Sequence, residues 1–303
     1  MAKSGSVALI GRPNAGKSTL MNRWLGEKLS IVSDKPQTTR RRIVGILSEP
    51  RGQLVFYDTP GIHRPIHRMN QQMMRFTVEA LDDADVVALL VDVSEAPGKG
   101  DAFTLDLVRR SKSPKVLLLN KIDLVKKEKL LPRIAAYAAE AMFTEIVPIS
   151  ARDGDGAERA LGVLWGLLPE GEPAFDRELL TVQTERFLVA ERIREKVLER
   201  TRDELPFATA VLIERWEEVP EKDLVRIAAV LLVERSSQKP ILVGKGGERI
   251  RDIGTAARLD LEGYLGKRVY LELFVKVEPG WREKQEVLAE IDRNAEAVDL
   301  DPA

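Results

Sequence analysis

The 303-residue sequence predicts an α/β chain of two domains, a doubly wound, mostly parallel sheet followed by a smaller α+β unit. Three observations carry this expectation. Short apolar runs at 7–10, 54–57, 86–91, 116–119 and 146–149 alternate with amphipathic stretches, the pattern of buried parallel strands covered by helices. The stretch LLPEGEPAFD, residues 167–176, then breaks the periodicity with two prolines, a glycine and three acidic residues. Beyond this linker the order changes: a helical pattern over 184–204, strand-like runs over 207–216 and 224–234, helical sequence around GKGG, a strand over 268–277 and a terminal helix. The expected domains are therefore residues 1–172 and 173–303.

Composition narrows the functional classes. Hydrophobic content of 44% fills ordinary cores, and 47 basic residues nearly cancel 48 acidic ones, so any basic surface must be local. Cysteine is absent and only His63 and His67 offer imidazole, which disfavours disulfides and zinc chemistry. The opening MAKSGSVALIGRP has only a four-residue apolar run, and no later run approaches a membrane span, so a cytoplasmic protein is expected; a monomer is expected as well.

Four of the five apolar runs of the first domain lead into candidate site residues. The run 7–10 leads into GRPNAGKS, residues 11–18, which fits G-x-x-x-x-G-K-[ST] and opens a helix near Lys17. Backbone N–H groups of such a loop converge on phosphates, aided by the helix N-terminus. Gly11, Asn14, Ala15, Gly16, Lys17, Ser18 and Thr19 are therefore expected to contact nucleotide, with Lys17 on the β and γ phosphates and Ser18 on magnesium. After the next parallel run comes DTPG, 58–61, where Asp58 can hold magnesium through water and the Gly61 N–H can meet the γ phosphate.

The run 116–119 ends in NKID, 120–123, which selects the base. A carboxylate at Asp123 accepts from guanine N1–H and N2, whereas adenine offers neither donor, so GTP is expected over ATP. Asn120 braces the loops, the stem of Lys121 covers the base, and Ser150 with Ala151 follows the last run, the Ala151 N–H facing guanine O6.

These residues together resemble the translation-factor-related GTPases, and GRPNAGKST, PQTTR and DTPG resemble the Era group. The resemblance implies a P-loop GTPase domain with a flexible switch at 31–42, in which a threonine reaches magnesium in the GTP state. Thr38 and Thr39 both qualify, and Thr39 is preferred. Ile62 follows Gly61 where Ras-like proteins place a water-orienting glutamine, which implies slow intrinsic hydrolysis with water positioned by backbone, an ion or a partner. Asn14 is a candidate potassium ligand, as in related GTPases, and His63 and His67 are weighed as a general base against a solvated loop.

GKGG, 244–247, is no second P-loop, because the G-x-x-x-x-G spacing and the magnesium hydroxyl are missing. G-x-x-G between two helices in a β-rich surround is instead how KH domains clamp single-stranded RNA backbone. Gly244, Lys245, Gly246, Gly247, Arg249 and Arg251 are the expected contacts. Residues 239–282 carry nine basic and six acidic side chains, and 283–301 two and seven, so positive charge is concentrated at this hairpin. Helix, two strands, two helices, strand and helix is the order of the prokaryotic, type II KH arrangement. The resemblance to Era continues through IREKV, DELPF, IERW, VGKGGERI and KRVYLELFVKV, and implies binding near the 3′ end of 16S ribosomal RNA and assistance to 30S subunit maturation. A membrane- or division-associated GTPase with a C-terminal protein adaptor is the alternative, and peripheral membrane contact is kept with it. A pure RNA-binding module with a degenerate nucleotide site is disfavoured by the intact motifs. Among the aromatics, Phe187, Phe207, Tyr270 and Phe274 are expected in the core, while Trp281 is balanced between core and base stacking.

Overall fold

The computed structural model describes residues 2–62 and 67–293. In the first unit the strands are β1 (Lys3–Gly11), β2 (Ile43–Glu49), β3 (Gly52–Asp58), β4 (Val86–Asp92), β5 (Lys115–Asn120) and β6 (Glu145–Pro148). They form one sheet in the order β2-β3-β1-β4-β5-β6, parallel except for the β2/β3 pair. The helices are α1 (Lys17–Leu25), α2 (Arg68–Asp83), α3 (Lys99–Arg110), α4 (Lys127–Ala138) and α5 (Ala157–Leu167). Strands β1, β4 and β5 lie mid-sheet and are buried on both faces, which explains their uninterrupted apolar runs. Their carboxyl ends carry the P-loop, Asp92 and NKID, so parallel pairing collects residues far apart in sequence along one edge.

Strand β2 is not among the apolar runs read from the sequence; it begins directly after the 31–42 segment expected to be the switch. Gly45 is there for packing: a Cβ on it would stand 2.7 Å from Leu25 Cδ1 on α1. The expected linker also differs. Phe175, Leu179 and Val182 pack on Val44, Ile46 and Val55. Gln53, fully buried, exchanges two 2.9 Å hydrogen bonds with the Phe175 backbone, and Ile46 N donates to Leu180 O at 2.8 Å. The first compact unit thus runs to Val182, ten residues past the expected border at 172.

The second unit begins at Gln183. It contains α6 (Glu185–Arg200), α7 (Leu205–Ala208), β7 (Ala210–Val219), β8 (Leu224–Val233), α8 (Gln238–Val243), α9 (Glu248–Leu265), β9 (Arg268–Val277) and α10 (Gln285–Arg293). The sheet order is β7-β8-β9, antiparallel then parallel, with a register shift between Ile213 and Arg215. Ile193 and Val197 of α6, Ile253, Ala257 and Leu261 of α9, and the alternate residues Val225, Ile227, Ala229 and Leu231 of β8 share one core. Thr184 caps α6 by accepting from Phe187 N at 3.2 Å, a strong start signal for the helix.

One aromatic expectation is overturned and one balanced reading is decided by burial. Tyr270 and Phe274 are each 54% exposed, because β9 turns Val269, Leu271, Leu273, Val275 and Val277 toward the helices and its other residues outward. Trp281 is fully buried, and its Nε1 donates to Ala208 O at 2.9 Å, so it is a core residue and not a stacking platform. Phe187 is buried as expected. No helix among the described residues is long and apolar enough to cross a membrane.

Candidate functional site

The carboxyl edge of the first sheet borders a cleft of about 420 Å³ lined by P-loop residues, the 31–39 segment, Gly61, Asn120, Lys121, Asp123, Ala151 and Arg152. The P-loop geometry demands its glycine at position 16. Gly16 has φ 96°, and a Cβ there would stand 2.2 Å from Asn120 Nδ2, so any side chain would both strain the backbone and evict the base loop. Asn120 in turn donates from Nδ2 to Ala15 O at 2.7 Å and accepts at Oδ1 from Ala151 N at 2.8 Å. One buried carboxamide thereby joins three loops. The Ala151 N–H expected at guanine O6 is engaged by this bond.

Lys17 is buried, with Nζ 3.3 Å from Gly11 O and 3.1 Å from Arg12 O. Burial pulls its ammonium down from 10.5 to about 8, with the nearby Asp58 charge opposing. A polyphosphate beside Nζ favours the charged form, so nucleotide binding between those two values must take up a proton. Calorimetry of GDP binding in two buffers of different ionisation enthalpy should show uptake at about pH 9 that is smaller at about pH 7. Equal proton exchange at the two pH values would show that burial does not lower the Lys17 ammonium in the nucleotide-free protein.

Three oxygens converge beside it. Ser18 Oγ donates to Asp58 Oδ2 at 2.7 Å, Thr39 Oγ1 lies 3.1 Å from Ser18 Oγ, and Thr39 Oγ1 donates to Asp58 Oδ2 at 3.4 Å. Asp58 is fully buried, and among the described residues its Oδ1 has no hydrogen-bond partner within bonding geometry. Burial pushes the Asp58 carboxyl up, opposed by the Lys17 charge and the hydroxyls of Ser18, Ser30 and Thr39. An orphaned carboxylate oxygen beside two hydroxyls fits a hard divalent cation such as Mg²⁺, which takes oxygen ligands and water. Thr38 also lines the cleft, but its Oγ1 donates to Lys35 O at 2.6 Å.

Asn22 of α1 holds the start of the switch segment, donating to Ser30 O at 2.7 Å and accepting from Leu29 N and Ser30 N. Asn14, with φ 61°, donates from Nδ2 to Asp34 O at 2.7 Å and ties the P-loop to the same segment. Ile62 is 2% exposed and packs among Ile10, Leu89 and Val93, while its N–H bonds Gly11 O at 3.0 Å. Its side chain therefore belongs to the core. His63 lies outside the described residues.

At the base end, Asp123 Oδ1 accepts from Ser150 Oγ at 2.7 Å and Oδ2 pairs with Arg152 at 2.9 Å. Lys121 Nζ pairs with Asp92 Oδ2 at 2.5 Å, which holds its stem along the cleft. Two residues escaped the sequence reading. Arg23, on α1, donates from Nε to Ala151 O at 2.8 Å and from its other end to Arg152 O, pinning the 150–152 loop. Arg152 is the other, and no motif marks either arginine because each acts across a fold contact.

In the second unit, Gly244, Gly246 and Gly247 all take positive φ, 77°, 61° and 79°, which only a glycine-rich turn between α8 and α9 sustains. Lys245, Arg249 and Arg251 are exposed there. Arg251 donates to Gly246 O at 2.6 Å and Arg249 to Ile241 O, so both arginines brace the hairpin while leaving other N–H groups outward.

Comparison with known proteins agrees with these two units. Residues 6–121 match the family described as 50S ribosome-binding GTPase, and residues 204–282 match the KH domain family. The chain is 49% identical to GTPase Era of Geotalea uraniireducens over 95% of its own length and 97% of that protein. It is 44% identical to GTPase Era of Heliobacterium modesticaldum over 94% and 95%. A crystal structure of Era in complex with MgGDPNP and nucleotides 1506–1542 of 16S ribosomal RNA superposes with TM-score 0.93 at 37% identity, covering 96% of this chain and 99% of that one. An Aquifex aeolicus Era variant bound to GDP and AlF4⁻ gives TM-score 0.92 at 37% identity, with coverage of 95% and 98%. A nucleotide cleft followed by a glycine hairpin, in a chain this close to those relatives along almost its whole length, is a member of the Era family of GTPases.

Proposed function

We propose that the chain is a GTP-hydrolysing switch that binds the 3′ region of 16S ribosomal RNA through its KH unit and assists 30S subunit maturation. The observation that carries the reading is the shared cleft, with the Asp123 carboxylate at one end and the Ser18, Thr39 and Asp58 oxygens at the other. Relatives named GTPase Era, and Era structures holding MgGDPNP, GDP with AlF4⁻ and a 16S rRNA fragment, support it. The functional division falls at 182/183, after the strap packed on β2 and β3. The protein works in the cytoplasm.

Asp123 selects guanine, Asn120 and Lys121 shape the base slot, and Ser150 orients the Asp123 carboxylate. Lys17 and the P-loop N–H groups of Gly11 to Thr19 hold the phosphates, and the Gly61 N–H senses the γ phosphate. Ser18, Thr39 and Asp58 hold Mg²⁺, which when bound neutralises charge developing on the β–γ bridge. With Ile62 packed into the core, no side chain at that position orients water, and intrinsic turnover is slow. Loss of the γ phosphate frees Thr39 and the 31–39 segment, the switched element.

Gly244, Gly246 and Gly247 let RNA backbone approach, with Lys245, Arg249 and Arg251 facing phosphates. Lys245→Glu should weaken binding of an RNA fragment ending in the 16S 3′ sequence and reduce its salt slope by about 0.7, with GDP affinity unchanged. Fluorescence anisotropy across a salt series measures both. Unchanged RNA affinity would replace the RNA role by the adaptor alternative, in which this unit binds protein at a membrane or division site.

A further inference from the structure

Arg152 places a cation on the very carboxylate that reads the base. Its Nη2 is 2.9 Å from Asp123 Oδ2, while its Nε and Nη2 also reach the Asp153 carboxylate at 2.9 and 3.3 Å. The two ends differ in freedom. Asp123 is 14% exposed and already oriented by Ser150 Oγ on its other oxygen, whereas the Arg152 side chain is 68% exposed. Its backbone is fixed, because Arg23 donates to Arg152 O and Ala151 O.

The chemistry of the two partners is alike. Guanine presents Asp123 with an N1–C2–N2 fork of N–H donors, and a guanidinium presents the same planar N–C–N fork with a full positive charge. Both seek Oδ2 within one cleft. Adenine has no such fork, so an adenine nucleotide leaves the Arg152–Asp123 pair unchallenged.

We propose that Arg152 is an intramolecular competitor of guanine, occupying Asp123 and yielding to the base by releasing that carboxylate while it stays on Asp153. It sets the affinity and release rate of guanine nucleotides without touching their phosphates. The inference rests on the guanine-selecting role of Asp123 and goes beyond it by assigning a tuning residue that acts through that carboxylate. Asp153 lowers the cost of yielding, since one of the two carboxylate contacts survives when guanine enters. Because the side chain is largely exposed, the competition is modest and sensitive to ionic strength.

The test uses the full chain and its Arg152→Gln, Arg152→Ala and Arg152→Lys variants, with fluorescent GDP and ADP followed by equilibrium titration and stopped flow. At low salt, Gln and Ala should bind GDP about two- to fivefold more tightly, with slower release, while ADP affinity is unchanged. The gain should fade at high salt, and Lys should restore part of the wild-type behaviour. A merely structural arginine predicts the opposite sign, since a disturbed loop weakens binding. Unchanged or weaker GDP binding in both the Gln and Ala variants overturns the proposal while leaving guanine selection intact. A wild-type chain with no preference for GDP over ADP overturns it at the earlier step, by removing the role of Asp123 itself.

Discussion

Asp123→Asn is expected to cut the preference for GTP over ATP by about 10⁴, the largest change any single substitution in the cleft should produce. The carboxylate is mostly buried and one oxygen is already held by Ser150 at 2.7 Å, so its remaining lone pairs are aimed and costly to leave unpaired. Guanine satisfies them with two donors in place of Arg152; adenine offers no such donor pair and leaves only the exposed Arg152 on Oδ2. An amide turns one acceptor into a donor, which then faces the guanine N1–H or N2 donors and repels them. Xanthine carries a carbonyl at C2 in place of the amino group, so XTP affinity should rise in the same variant. Calorimetric titration of GTP, ATP and XTP against both proteins measures all three affinities. Retention of the wild-type GTP preference by Asp123→Asn would end the reading of NKID as the base selector.

The second large effect separates neighbouring threonines. Thr39→Ala should lower Mg²⁺-dependent GTP hydrolysis by about 10² to 10³, the range seen when one preorganised ligand of developing charge is removed. Thr38→Ala should change it by about twofold, as for a residue outside the chemistry. Geometry makes the distinction: Thr39 is buried with its hydroxyl beside Ser18 and Asp58, whereas the Thr38 hydroxyl closes a turn onto Lys35 O. Thr39→Ser keeps the oxygen and should keep most of the rate. Single-turnover hydrolysis at saturating Mg²⁺ reads the difference, and a larger loss in Thr38→Ala than in Thr39→Ala would reverse the assignment.

The P-loop, DTPG and NKID were legible because each is a contiguous run whose function follows from local backbone shape and residue chemistry. Four of the five parallel strands were legible because burial on both faces leaves an uninterrupted apolar run; β6, at the sheet edge and only partly buried, was marked by the run at 146–149. Strand β2 was hidden because it sits at the sheet edge, carries Gly45 against α1, and adjoins a polar switch segment. The 173–182 strap was hidden because Pro and acidic residues mark a break in periodicity whether or not the chain then packs on a sheet. Tyr270 and Phe274 were misplaced although the alternation in β9 announces them: Arg268, Tyr270, Glu272, Phe274 and Lys276 share one face.

Order along the chain was enough to establish a guanine-nucleotide P-loop unit followed by a KH unit, because phosphate cradles, base selection and strand burial are written in neighbouring residues. Folding alone revealed which threonine meets Asp58, that Trp281 is core, that Arg23 steadies the base loop and that Arg152 shares Asp123. Those facts depend on side chains brought together from distant positions, and a separation in sequence carries no record of a contact that exists only once the sheet and helices have closed around it.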